Sequence, residues 1–184
     1  MLGEPRLNIY ILGSDLTAQQ RQRVQAQVQT ALRAIPGWAF QLLAGRMAEL
    51  GVRNLPLMIE PRPARAPGSQ ALSLGRIESR PAVRLTPRLA GAEVEWGQDA
   101  RYLVAKAIAY LAAPESTDTD FWSRWVEALE ADRLREKALA VGAHWQDVTT
   151  LGLLIEMFAA YALEPQHRRW AGLPRVRAFL DDWR

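Results

Sequence analysis

Short apolar runs in the first half of the chain predict β-strands. Residues 7–12 form one such run, which ends at Gly13, and residues 55–59 form a second. Residues 72–86 alternate between apolar and polar side chains, which predicts one or two further strands. We therefore expect a small β-sheet built from the first half of the chain.

Helical periodicity accounts for most of the remaining sequence. The first helix is predicted to begin after a cap at Ser14 or Asp15, to run to about Ala34, and to rest one apolar stripe on the sheet. The stretches 61–70 and 114–120 are rich in proline or in capping residues and predict loops. Further helices are predicted at 38–50, 98–113, from residue 121 onward, at 149–163 and at 174–183.

This order of elements predicts an α+β fold, in which a small mixed sheet packs on helices and a helical C-terminal half follows. The chain has 184 residues, 49% of them hydrophobic, which is enough for one core and short for two. We therefore expect a single domain over residues 1–184. The sheet is expected in residues 1–97 and the helical part in residues 98–184.

The composition excludes several kinds of chemistry. The chain has no cysteine, which excludes disulfides, thiolate ligands and a cysteine nucleophile. Glycine motifs that hold phosphate and serine nucleophile motifs are also missing, so no cofactor is expected. No stretch approaches the ~20 apolar residues that span a bilayer, and the first residues lack a signal-peptide pattern. We therefore expect a cytoplasmic protein without membrane contact.

Two strongly apolar helices each carry one lone charge. Lys106 is the single charged residue within 102–113, and Glu156 is the single charged residue within 149–163. A helix that is apolar on all sides is buried, and an unpaired buried charge is costly. The two opposite charges therefore predict an ion pair. The alternative is that each side chain reaches the surface at the edge of its helix.

Three segments of the second half resemble one peptidase family. Residues 107–111 (AIAYL) form an apolar helical run, residues 120–122 (DFW) follow a loop, and residues 156–159 (EMFA) lie in a later helix. These segments and the order of elements resemble the zincin-type metallopeptidase domain of the anthrax lethal factor family. The resemblance implies a zincin-like fold and places Glu156 where that family has its third zinc ligand.

The departures from the family pattern imply a degenerate metal site. Tyr102, Leu103 and Lys106 stand where the family has the first histidine, the catalytic glutamate and the second histidine. A lysine is a cation and a leucine moves no proton, so neither zinc binding nor catalysis is expected. The resemblance then implies a non-catalytic module that binds a protein or peptide. An atypical metal site that joins Glu156 to His144 or His167 is left open.

Arginines concentrate between the second strand and the end of the predicted sheet. Residues 61–90 contain six arginines and one glutamate, a net charge of +5. If Arg76, Arg80 and Arg84 share one strand face, they form a basic stripe beside a groove. Such a stripe suits an acidic peptide or, as the alternative function, a nucleic acid. The simpler interpretation is a solvated edge strand whose charges deter pairing. The arginines concerned are Arg62, Arg65, Arg76, Arg80, Arg84 and Arg88.

Overall fold

Seven strands and seven α-helices make up the part of the chain that the computed structural model describes, which is residues 6–63, 72–91, 93–141 and 148–184. The strands are β1 (Arg6–Ile11), β2 (Asn54–Ile59), β3 (Arg62–Pro63), β4 (Leu72–Ile77), β5 (Arg80–Leu85), β6 (Arg88–Ala90) and β7 (Glu93–Glu95). The helices are α1 (Ala18–Arg33), α2 (Gly37–Glu49), α3 (Ala100–Ala112), α4 (Thr119–Ala131), α5 (Leu134–Ala140), α6 (Thr150–Leu163) and α7 (Pro174–Trp183), with a 3-10 helix at Arg168–Gly172 before α7.

The main sheet is mixed and has four strands in the order β1-β2-β5-β4. Strands β1, β2 and β5 are parallel, whereas β4 lies antiparallel to β5 at one edge. A second, three-stranded sheet has the order β3-β6-β7. The predicted α+β class is confirmed, since the described strands and two helices lie before residue 96 and only helices follow.

One face of the main sheet forms part of the core. Alternate residues of β2 and β5 are fully buried and share a single cluster with α3, namely Leu55, Leu57, Ile59, Val83 and Leu85. Helix α3 contacts β5 and β4, and α1, α2 and α6 pack against α3. The predicted apolar α3 is therefore the centre of the helical layer, as a helix without a polar face requires.

A two-residue turn joins β4 to β5. Ile77 pairs with Arg80, and the residues between them, Glu78 and Ser79, have φ angles of 49° and 65°. Two successive positive φ angles identify a type I′ turn, which matches the twist of antiparallel strands. This turn sets the register of the hairpin and decides which side chains share a face.

Aromatic side chains join α4 to the C-terminal helices. Phe121 of α4 contacts Phe179 and Trp183 of α7, with ring centroids 5.2 Å apart in both pairs. Phe121, Trp125 and Leu129 follow one another at intervals of four residues on α4, and all three are buried. None of the described helices has both the length and the apolar character needed to cross a membrane.

The structure corrects several predicted boundaries. Helix α1 is capped by Thr17 rather than by Ser14 or Asp15, because Thr17 and Gln20 form a reciprocal capping box. The prediction of a loop over 61–70 is wrong at β3 (Arg62–Pro63), and residues 64–70 lie outside the described residues. Strands β6 and β7 and helix α5 were also not predicted, because elements of three to seven residues carry little periodicity.

Candidate functional site

The Lys106 ammonium and the Glu156 carboxylate form an ion pair between α3 and α6. The predicted contact is therefore confirmed. The two side chains differ in exposure, since that of Lys106 is 9% exposed and that of Glu156 is 41% exposed. The pair thus lies at the rim of the core, with the cation inside and the carboxylate partly in water. This differs from the expectation that both charges are interior.

Two further side chains complete the surroundings of Lys106. Its ammonium lies 3.4 Å from the amide oxygen of Gln98 and 5.4 Å from the ring centroid of Tyr102. Burial, and secondarily the nearby Glu156 carboxylate, raise the pKa of Tyr102. The phenol is therefore neutral at physiological pH, and its ring face attracts the cation.

Three of the four positions of the expected degenerate metal site converge. Tyr102 and Lys106 lie one turn apart on α3 and meet Glu156, whereas Leu103 is only 1% exposed and packs in the core. A zinc ion requires several deprotonated N, S or O ligands. A neutral phenol, an ammonium and one carboxylate do not fit that requirement, and within the described ranges no three His, Asp or Glu side chains gather into a metal-binding group.

His144 and His167 are the two candidates for an atypical metal site with Glu156. His144 lies outside the described residues. His167 precedes the 3-10 helix, and its Nδ1 accepts hydrogen bonds from the backbone N–H and the Nε of Arg169, at 3.0 and 3.1 Å. This pattern is that of a helix-capping histidine.

Strand β4 forms one edge of the main sheet. In a two-residue hairpin the two residues that flank the turn form a hydrogen-bonded pair. From there, non-hydrogen-bonded and hydrogen-bonded pairs alternate along the ladder. The non-hydrogen-bonded pairs therefore include Arg76↔Pro81 and Leu74↔Val83. This assignment agrees with the missing N–H of Pro81. The backbone groups of Leu72, Leu74 and Arg76 consequently point away from β5. Among the described strands, β5 alone pairs with β4.

A cleft of about 390 Å³ adjoins the Arg76 end of β4. Its walls come from β4, β5, α2, α3, α4, α6 and the loop between α3 and α4, and they include Arg76, Pro81, Tyr110, Trp122 and Leu151. The Tyr110 hydroxyl donates a 2.9 Å hydrogen bond to the Gly75 carbonyl, which ties α3 to the edge strand. The cleft is thus largely apolar and continuous with the edge.

Glu115 holds two arginines at the rim of this cleft. Its carboxylate accepts a 2.8 Å bond from Arg46 Nη2 and bonds of 3.0 and 3.1 Å from Arg76. The hydrogen bond from Arg76 lowers the pKa of Glu115, and the carboxylate in turn raises the pKa of Arg76. Arg46 is 8% exposed and also pairs with Glu49, while its Nε has no partner among the described residues.

The predicted stripe of Arg76, Arg80 and Arg84 on one face is wrong. Arg80 and Arg84 share the face opposite the helices, but the two-residue turn places Arg76 on the helical side with Val83. Arg76 is held by Glu115 and Arg84 by Glu60, at 3.0 and 3.1 Å. Residues 76 and 84 would share a face along one continuous strand, but the turn at Glu78 and Ser79 interrupts the strand.

The other arginines of this segment do not extend a single surface. Arg62 pairs with Glu60 at 3.3 Å, and Arg88 lies in the second sheet opposite Glu95. Arg65 lies outside the described residues. The charge of the segment is therefore divided between two sheets and partly neutralised.

Two residues of the cleft rim, Arg46 and Glu115, were not predicted from the sequence, although one signal was present. Arg46 occupies the same face of α2 as Ala39, Leu43 and Met47, which are all buried. A cation on a buried stripe requires an acidic partner. The pattern does not identify that partner, because Glu115 lies 69 residues away in the loop between α3 and α4.

Comparison of the chain with protein-family models, curated proteins and solved structures gave no match in any of the three.

Proposed function

We propose that this chain is a non-catalytic, zincin-like module that binds an extended peptide segment of a partner protein along β4. The observation that carries the proposal is the outward row of backbone donors and acceptors at Leu72, Leu74 and Arg76. An extended peptide that adds to such an edge gains main-chain hydrogen bonds, while adjoining pockets select its side chains. The adjoining cleft offers such a pocket.

Two features support the absence of catalysis. Tyr102 and Lys106 replace the histidines that the resemblance places in α3, and Leu103 replaces the glutamate base. The Lys106 ammonium, in turn, pairs with the carboxylate of Glu156, which the resemblance implies as the third zinc ligand. A cytoplasmic location, which follows from the sequence expectation, belongs to the same proposal.

The proposal is tested by blocking the edge. A library of extended peptides is selected against the wild-type protein, and binders are then measured against Leu74→Pro and Leu74→Ala. Proline removes an outward N–H and leaves the bonds to β5 in place, so we expect Leu74→Pro to lose binding. Leu74→Ala, which keeps the N–H, is the matched control and should bind.

Two outcomes would contradict the proposal. One is the absence of any selected binder, and the other is equal binding to both variants. Salt-sensitive binding of a DNA duplex that survives Leu74→Pro would favour the nucleic-acid alternative.

A further inference from the structure

The cleft beside Arg76 has the size and lining of a specificity pocket. Its volume of about 390 Å³ falls within the range of pockets that hold ligands. Trp122 and Leu151 line it, and both are only partly buried, so apolar surface is left in contact with water. A bulky apolar side chain that enters the cleft would remove this surface from water.

The charges at the rim favour an acidic ligand. Two guanidiniums, of Arg46 and Arg76, and one carboxylate, of Glu115, line the cleft. Arg46 is also paired with Glu49 outside the lining, so Arg76 is the cation that a ligand meets. The side chain of Arg76 is 49% exposed, although its guanidinium donates hydrogen bonds to both the Glu115 carboxylate and the Ser79 carbonyl. An anionic group placed beside Arg76 meets a complementary charge.

The strand direction decides where that anionic group comes from. A peptide that adds antiparallel to β4 has its N-terminal end beside Arg76 and its C-terminal end beside Leu72, because β4 runs from Leu72 to Ile77. The C-terminal carboxylate then lies at the far end of the edge. In this antiparallel orientation an aspartate or glutamate side chain supplies the anionic group beside Arg76.

We infer that the cleft selects a bulky apolar side chain from an acidic extended peptide, with an acidic residue two positions away on the same peptide face. This inference rests on the proposed function, since it assumes that β4 receives the peptide. The spacing of two follows from the alternation of side chains along a strand. Residues on the cleft side of the peptide are thus alternately apolar and acidic.

The test uses a labelled eight-residue peptide of alternating threonine and glutamate, in which one central glutamate is replaced by phenylalanine. Fluorescence anisotropy measures its dissociation constant with the full chain. Restoring the glutamate should weaken binding by roughly ten- to hundredfold, because a buried phenylalanine is lost. Replacing the remaining glutamates by lysine should weaken binding at least tenfold.

Matched variants of the protein locate the pocket. Ser116 is exposed and lines the cleft, so Ser116→Trp fills its mouth without removing a core side chain, and binding should fall at least tenfold. Thr117→Trp, one residue along and outside the cleft lining, should bind like wild type. Arg76→Gln should weaken binding severalfold, whereas Arg80→Gln, on the opposite face, should not.

The possible outcomes separate this inference from the proposed function. Binding that requires the edge at Leu74 but ignores the phenylalanine and Ser116→Trp would overturn the pocket and leave the edge proposal intact. Equal effects of Ser116→Trp and Thr117→Trp would also overturn the pocket. If neither this peptide nor any library peptide binds, both proposals fail.

Discussion

At the scale of single residues, the Lys106–Glu156 pair combines a buried cation with a partly exposed anion. Because their exposed fractions are 9% and 41%, Lys106 depends on Glu156 more than Glu156 depends on Lys106. Glu156 can be hydrated when its partner is lost. Among the described residues, Lys106 then retains the amide oxygen of Gln98 and the ring of Tyr102 as neighbours of its ammonium.

This asymmetry gives a prediction for the free energy of unfolding. Glu156→Gln should destabilise the protein more than Lys106→Met, because it leaves a cation that water reaches poorly. The double variant should recover part of the loss, with a coupling energy of roughly 1–3 kcal/mol. Urea denaturation of all four proteins measures this cycle. Additive effects of the two changes would refute the coupling.

Glu115 provides a prediction about pH. Its pKa is held below the ordinary value of 4.5 by the hydrogen bond from Arg76, so the ionised carboxylate stabilises the folded state. This stabilisation is complete well above pH 4.5 and is lost as the pH falls through the lowered pKa. Glu115→Gln should therefore be less stable than wild type at pH 7, and the gap should narrow below about pH 4.5.

Denaturation curves between pH 7 and pH 3 measure that gap. Glu127→Gln is the control, because Glu127 is exposed and lies on α4 without an ion pair among the described residues. A gap between wild type and Glu115→Gln that stays constant over this range would show that the carboxylate charge does not stabilise the fold.

At the scale of elements, the β4–β5 hairpin determines the binding edge and the positions of its arginines. Its turn residues, Glu78 and Ser79, both adopt left-handed backbone conformations that glycine and asparagine accept more readily. The turn is thus locally strained by its sequence. The buried side chains of β5 nevertheless hold the hairpin in the register that the turn sets.

The strain predicts a stabilising substitution. Glu78→Asn combined with Ser79→Gly supplies the preferred residues of a type I′ turn, and it should raise the free energy of unfolding by about 1 kcal/mol. For a chain of this size the melting temperature should rise by roughly 2–4 °C. Thermal unfolding of the variant tests this. A lower melting temperature would mean that another turn geometry is present.

At the scale of the whole molecule, the poor fit of the side chains around Glu156 to zinc predicts a protein that does not depend on metal. Elemental analysis after dialysis should find no stoichiometric zinc, and a chelator should leave the melting temperature unchanged. The physical reason is that an ammonium and a neutral phenol surround the one carboxylate. One zinc per chain, with a lower melting temperature in chelator, would overturn this expectation.

The sequence predicts those parts of the molecule that depend on burial. The lone charges of two apolar helices predicted the contact of Lys106 with Glu156, because an interior charge needs a partner. Side-chain parity failed between Arg76 and Arg80, because a two-residue turn between them depends on backbone geometry that hydrophobic patterning does not reveal. A groove beside Arg76 was expected, but its walls were not predicted, since the cleft joins β4 to helices distant in sequence.

The position of α3 has a consequence for how the molecule opens. Every residue from Leu103 to Ala109 is buried, and the helix touches α1, α2, α6 and the main sheet. No local fluctuation exposes its amide groups without separating these layers, so they should exchange hydrogen for deuterium only through global unfolding. The outward amides of β4 need no such opening and should exchange fast in the free protein. Peptide binding along β4 should therefore slow hydrogen exchange at the edge strand. The α3 amides should remain the slowest to exchange, with or without the peptide.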